Sequence, residues 1–239
     1  MAPKKSKKNN RPESKKSANE ASGEKAVKHN GNGKTIQEAM FDFMLRGALN
    51  DAVSMKSYER GKRAIKEKIQ GSKARTILKN YVDLLIQGKK PDFWKCERDL
   101  ETAIGDKDFR FGNCQKLINM LAKNFFLAFY REDEKTRRSR FENCHCPMDR
   151  IMIQNVRTAY REKFRDRYPN VPWTSVSWSR IEWNESEKRN WDEGKVGFSD
   201  RVKKTTSLLT YLWFQRMVSE LAEMEHVCPI EYDFWHWKS

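Results

Sequence analysis

An all-α, or almost all-α, fold is what this sequence predicts: one globular helical domain of about seven helices behind a disordered basic N-terminal arm. Three observations carry that expectation. Past residue 34, apolar residues recur at three- and four-residue spacing in window after window. Few segments show the strict alternation of a half-buried strand. No period of 20–50 residues marks a repeat architecture.

The elements follow in chain order. Residues 1–34 hold Lys, Asn, Ser, Gly and Glu with Val27 as the only branched apolar residue. Such a segment cannot bury enough surface to offset ordering entropy, so the boundaries read as 1–34 arm and 35–239 domain. From Thr35, Ile36, Met40, Phe43, Met44 and Ala48 share a helical face. A second helical region holds Ala64, Ile65 and Ile69, then Ile77, Leu78, Tyr81, Val82 and Leu85; Gly71 interrupts it, and Gly88 with Pro91 ends it. Pro91-Asp92 opens a helix that runs to about Ala103 and stops at Gly105. The stretch Leu117 to Tyr130 is apolar on nearly every side, which places it at the centre of the fold. Arg131 to Arg140 reads as a charged loop. Asp149 then starts a helix through Ile151, Ile153, Val156 and Tyr160. Pro169 and Pro172 break the chain before a Trp-rich segment (Trp173, Trp178, Trp183, Trp191). A last long helix spans roughly Asp200 to Glu225, and the apolar tail Ile230 to Trp237 docks on the body.

Charge narrows the function classes. The 239 residues carry 48 Lys plus Arg against 33 Asp plus Glu, a formal net charge of +15. The arm contributes +7, through ten basic and three acidic residues, and the remaining 205 residues contribute +8. A body this basic attracts phosphate polymers over a Debye length of roughly 8–10 Å. Nucleic acid is therefore the expected partner, RNA ahead of DNA, with self-association along the strand; an acidic protein or a membrane surface is the other polyanion to weigh. No window of 18 apolar residues occurs, so no membrane span and no membrane partner are expected. The N-terminus has charge without an apolar stretch behind it, which does not read as a secretory signal. Five irregularly spaced Cys (96, 114, 144, 146, 228) then read as reduced thiols, and the location as intracellular, cytoplasmic, or nuclear in a eukaryotic host. The run Lys4-Lys5-Ser6-Lys7-Lys8 resembles a nuclear import signal, a pattern that any dense basic tail matches by chance. In the binding reading, Lys4, Lys5, Lys7 and Lys8 touch phosphates; otherwise the arm is a solubilising leader.

Three constellations could carry chemistry. At 100° per residue, Lys116, Asn119 and Lys123 fall within about 60° of one another and form one polar stripe on the central helix. An unpaired buried ammonium costs several kcal/mol, so the lysines must reach a carboxylate, water or a bound phosphate. Either they floor a cleft, or they extend to the helix edge and pair with a neighbour. Asp149, after Pro147 at a helix start, either caps that helix or projects towards Lys116; together the two suggest a nucleophile with an electrostatic partner. Trp173, Trp178, Trp183 and Trp191 alternate with Arg180, Lys188, Arg189 and Lys195. Aromatic faces beside cations suit single-stranded nucleic acid at ~1–3 kcal/mol per stacked base, or else close the core. Arg137, Arg138 and Arg140 add a basic run. Cys144, His145, Cys146, His226 and Cys228 lack the C-x₂₋₄-C spacing of structural zinc, so no metal or other cofactor is expected. Neither a P-loop nor G-x-G-x-x-G, H-E-x-x-H or G-x-S-x-G occurs, and Phe111-Gly112-Asn113 is too short to be a phosphate loop.

Two resemblances follow from these residues. The succession Phe111-Gly112, Gln115-Lys116, Asn119-Met120, Lys123, His145-x-Pro147-x-Asp149, Trp178 and the acidic-aromatic tail resembles a poorly characterised family of bacterial and phage proteins over roughly residues 105–237. Lys116, with Asp149 after a Pro, is similar to the helical base-excision DNA glycosylases of the 8-oxoguanine type. That likeness implies Lys116 as nucleophile and Asp149 as its partner. The glycine-rich hairpin of those enzymes has no convincing copy here. A glycosylase-like scaffold that only binds also fits, and is similar to basic phage proteins that coat messenger RNA. The expected function is thus largely sequence-nonspecific nucleic-acid binding, leaning to single-stranded RNA, with a DNA glycosylase or lyase as the alternative and catalysis the less expected of the two.

Overall fold

The computed structural model describes residues 35–52, 62–70, 72–164, 176–197 and 206–237. The expected arm, with Lys4, Lys5, Lys7 and Lys8, lies outside these residues, as do Trp173, Pro169 and Pro172. The chain divides into Met1–Ile36 and Gln37–Ser239, and all described residues past Ile36 belong to the second unit.

The all-helical class is observed, and no β-strand occurs among the described residues. These hold ten α-helices, in order α1 (Ile36–Ala52), α2 (Lys62–Gln70), α3 (Lys73–Ile86), α4 (Phe93–Ile104), α5 (Phe111–Ala128), α6 (Glu134–Phe141), α7 (Arg150–Lys163), α8 (Glu185–Asp192), α9 (Leu208–Met224) and α10 (Pro229–His236). The count exceeds the seven or so expected because α2, α6, α8 and α10 are only eight or nine residues long. Helices that short show too few turns for periodicity to reveal them.

Most starts are written in side chains. Asp92, Asp133, Asp149, Asn184 and Ser207 accept hydrogen bonds from backbone N–H groups in the first turns of α4, α6, α7, α8 and α9. Pro229 occupies the first turn of α10, and Gly105 closes α4 in the left-handed conformation at φ +56°. The expected charged loop at Arg131–Arg140 is instead largely α6. Asp133 caps it, Glu134 pairs with Arg138 one turn on, and buried Phe141 anchors it edge-on to Phe126. The buried face of α1 also differs from the expected one. Phe41, Leu45, Ala48, Leu49 and Ala52 face inward while Phe43 is 73% exposed. The last long helix begins at Leu208; the expected start at Asp200 lies outside the described residues.

α5 is the axis of the fold. Its first nine residues, Phe111 to Asn119, are all buried. α3, α4, α6 and α10 pack around it, and α9 packs with α7, α8 and α10 and reaches α5 through Tyr211. The start of α5 has no side-chain cap. Instead Gly112 N–H donates to the Ile181 carbonyl at 3.1 Å, and Asn113 donates to the carbonyls of Asp108 and Ser179. The 3-10 turn Trp178–Arg180 therefore lies directly on the helix end, and a Cβ on Gly112 would sit 1.9 Å from the Trp178 carbonyl oxygen. Only glycine fits there.

Candidate functional site

The polar stripe of α5 exists, and it is answered by acids. Lys116 Nζ stands 3.6 Å from Asp149 Oδ2, and Lys123 Nζ 2.5 Å from Asp233 Oδ2. Each lysine is 9% exposed, and Asp233 is fully buried. Lys116 Nζ also lies 4.7 Å from the ring centre of Trp178, and Lys123 Nζ 5.6 Å from that of Trp237, so indoles roof both ammonium groups. Asp51, at the end of α1, joins by charge: burial holds its carboxyl above the usual range, Lys116 and Lys123 pull it down, and Asp149 pushes it up. Burial likewise raises Asp233 to about 6 against the pull of Lys123. Its Oδ1 has no hydrogen-bond partner among the described residues. Two ammonium groups thus face three carboxyls, and the cleft is not a surplus of positive charge.

Asp149 does both things expected of it. One oxygen accepts from Met152 N–H at 2.9 Å and caps α7, while the other faces Lys116. Asn119, by contrast, is fully buried. Its amide donates to Gln115 Oε1 at 3.2 Å and to the Tyr211 hydroxyl at 3.1 Å. Gln115 donates to the carbonyls of Gly112 and Met148, so this network ties α5 to the Cys144–Asp149 segment. Asn119 is a structural bridge under the stripe with no surface to offer a strand.

The same network reaches a second face. The Tyr211 hydroxyl lies 2.8 Å from His145 Nδ1. Asn119 donates to the same hydroxyl, which thus joins the imidazole to the buried amides of α5. Burial, with Lys188 nearby, lowers His145 to about 4, so the ring is neutral. Around it stands an aromatic cluster: Trp94 is 5.4 Å from His145, 5.8 Å from Trp183 and 6.3 Å from Phe111 between ring centres. Two cations lie over this cluster: Arg98 covers Trp183 at 5.1 Å, and Lys188, paired with Asp192, covers Trp94 at 4.8 Å. A third, Arg216, covers the buried Trp213 at 5.3 Å, whose ring meets Trp191 edge-on.

The other expected contacts are scattered. Arg138 makes a two-pronged pair with buried Glu231, and Arg140 pairs with Glu132. Arg137 donates to the Tyr130 carbonyl and covers Phe126. These three arginines fasten α6 to the body. Arg180 is exposed and lines a shallow cavity of about 320 Å³ with Lys107, Arg110 and Glu182. Trp178 stands at Lys116, as described.

Asp233, Asp51, Trp94 and Tyr211 were not singled out in the sequence. Asp233 had a signal: a carboxylate inside the apolar run Ile230 to Trp237 must meet a cation once that run docks. Trp94 had none beyond its place beside charged Lys95 and Arg98. The five cysteines are buried free thiols, with Cys96 and Cys144 each raised by burial to about 12. Among the described residues no three metal-ligating side chains converge, and no helix is long and apolar enough to cross a membrane. Comparisons with protein-family models, with curated proteins and with solved structures each return no match.

Proposed function

We propose that this protein binds nucleic acid with little sequence preference, through stacking on the aromatic face of α4, α8 and α9 and through the basic charge around it. Single-stranded RNA is the favoured form, in line with the resemblance to phage proteins that coat messenger RNA. The observation that supports this most is the set of half-buried indoles Trp94, Trp183 and Trp191 with two exposed arginines beside them, Arg98 over Trp183 and Arg216 over Trp213. Such a surface offers π-faces to bases and positive charge to phosphates at one place, the combination that non-specific single-strand binding uses. The formal charge of +15 adds long-range attraction. The lysine stripe contributes little to holding phosphate in this reading, because Asp149 and Asp233 already answer it. The test is binding of a labelled single-stranded RNA across a salt series. Affinity should fall steeply with salt, and replacing Arg98 and Arg216 by Glu together should weaken it by more than tenfold. Binding that ignores both salt and these replacements overturns the proposal.

A second reading draws on one distance. Lys116 and Asp149, 3.6 Å apart under Trp178, are the kind of pair that a Schiff-base glycosylase or lyase uses: Lys116, having passed a proton to Asp149, would attack the sugar carbon as the bond to the base breaks and the base leaves, and Asp149 would stabilise the charge that develops. Borohydride trapping on DNA carrying damaged bases should give a covalent adduct that Lys116→Met loses. Absence of an adduct across several lesions removes this reading.

A further inference from the structure

Between α4, α8 and α9 lies a cavity of about 520 Å³, and its lining differs from the rest of the surface. Trp94, His145, Trp191, Leu212, Gln215 and Arg216 form most of its wall, and no Asp or Glu lines it. The size falls within the roughly 300–1,000 Å³ of small-molecule sites. We infer that this cavity seats one nucleobase of a bound single strand, unstacked from its neighbours and held against indole. The inference rests on the nucleic-acid reading above and adds to it a place and a stoichiometry.

The wall chemistry selects a planar heteroaromatic ring. Trp94 and Trp191 are half-buried, each braced by another ring: Trp94 by Phe111 and Trp191 edge-on to Trp213 at 5.0 Å. Rigid indoles lose little entropy when a base stacks on them. The polar groups are also pre-set. Gln215 clasps the backbone of Cys146, accepting from its N–H at 3.0 Å and donating to its carbonyl at 2.7 Å, so the side chain cannot rotate away. Tyr211 holds His145 from behind at Nδ1. A base entering here meets fixed hydrogen-bonding groups and apolar Leu212, with Arg216 at the rim. Arg216 is half exposed over Trp213, so a phosphate beside the seated base would find a cation; Lys188 on Trp94 is already held by Asp192. An apolar peptide side chain would use the rings but neither the clasped amide nor the imidazole.

The test fills the cavity from two sides. Ser219→Trp on the exposed side of α9 and Val196→Trp in the loop after α8 each place an indole in the space; circular dichroism and melting confirm that each variant folds. Wild-type chain is irradiated with a short oligouridine carrying one 4-thiouridine, and cross-linked peptides are mapped. Cross-links at Trp94 or Trp191, with at least one folded filling variant losing both those cross-links and about tenfold in affinity, are the expected result. Oligouridine binding with cross-links elsewhere, and unchanged affinity in every filling variant that folds, overturns the seat and leaves the nucleic-acid reading standing. Absence of binding by wild type to oligouridine and to mixed-sequence RNA overturns both. Uridine monophosphate bound as tightly as oligouridine assigns the cavity to free nucleotides and overturns the claim of a base within a strand.

Discussion

The lysine-bearing side of α5 and the indole-bearing side formed by α4, α8 and α9 use the same ingredients, cations and tryptophans, to opposite electrostatic ends. On the first, Lys116 and Lys123 are nearly buried, and Asp149 and Asp233 neutralise them. On the second, exposed Arg98 and Arg216 lie over the indoles of Trp183 and Trp213, and Arg216 lines a cavity without acidic walls. Arg216 does pair with Glu220, but that contact is a solvent-exposed i,i+4 pair worth at most about 0.5 kcal/mol, so it yields readily to a phosphate. A buried pair does not yield in that way, since removing one partner strands the other charge. Counting basic residues therefore locates attraction poorly; what matters is whether each cation is already answered.

The largest effect should come from breaking a buried pair. Asp233→Ala leaves the Lys123 ammonium unpaired and should lower stability by about 3–5 kcal/mol in urea melts, with Lys123→Met plus Asp233→Leu recovering much of it. Next is Glu97 on α4, fully buried, with neither carboxyl oxygen hydrogen-bonded among the described residues. Burial raises it to about 8 from 4.5. Its folded form thus holds a proton that the unfolded chain releases, so its contribution is complete below pH 4.5 and is lost as pH rises through 8. Glu97→Gln should remove a loss of order a few kcal/mol between pH 5 and 8.5, measured as the difference in urea midpoint. His145 runs the other way: lowered to about 4 from 6.5, it supports the fold above pH 6.5 and withdraws that support as pH falls to 4. His145→Gln should flatten that acid limb of the melting curve. Smaller again, Gly112→Ala forces the Trp178 backbone off α5 and should cost about 1–3 kcal/mol, while moving Trp178 away from Lys116 and leaving the aromatic face intact.

How much of this the sequence disclosed varies with the physical range of each interaction. Local signals were legible: the helix opening at Pro91-Asp92, the cap at Asp149, the stop at Gly105 and the central position of α5 all follow from residue type at fixed offsets. α6 was not, because Glu134 to Arg140 is polar and its one buried anchor, Phe141, lies at the end. The Lys116–Asp149 pair was legible as a pair of candidates, since a lysine on an apolar helix needs an acid. Which acid answers Lys123 was not, because Asp233 arrives from 110 residues away on α10. The cavity was invisible for the same reason: Trp94, His145, Trp191 and Gln215 come from four separate stretches.

The most direct test of the account sets the two sides against each other in one titration. The salt dependence of single-stranded RNA binding is measured for wild type, for Arg98→Glu with Arg216→Glu, and for the paired replacement Lys123→Met with Asp233→Leu. The first variant should lose more than tenfold in affinity with a visibly shallower salt slope, each lost phosphate contact removing about 0.7 from it. The paired replacement should keep both the affinity and the slope of wild type. The reverse pattern, with the lysine side carrying the salt slope and the arginines carrying none, contradicts it.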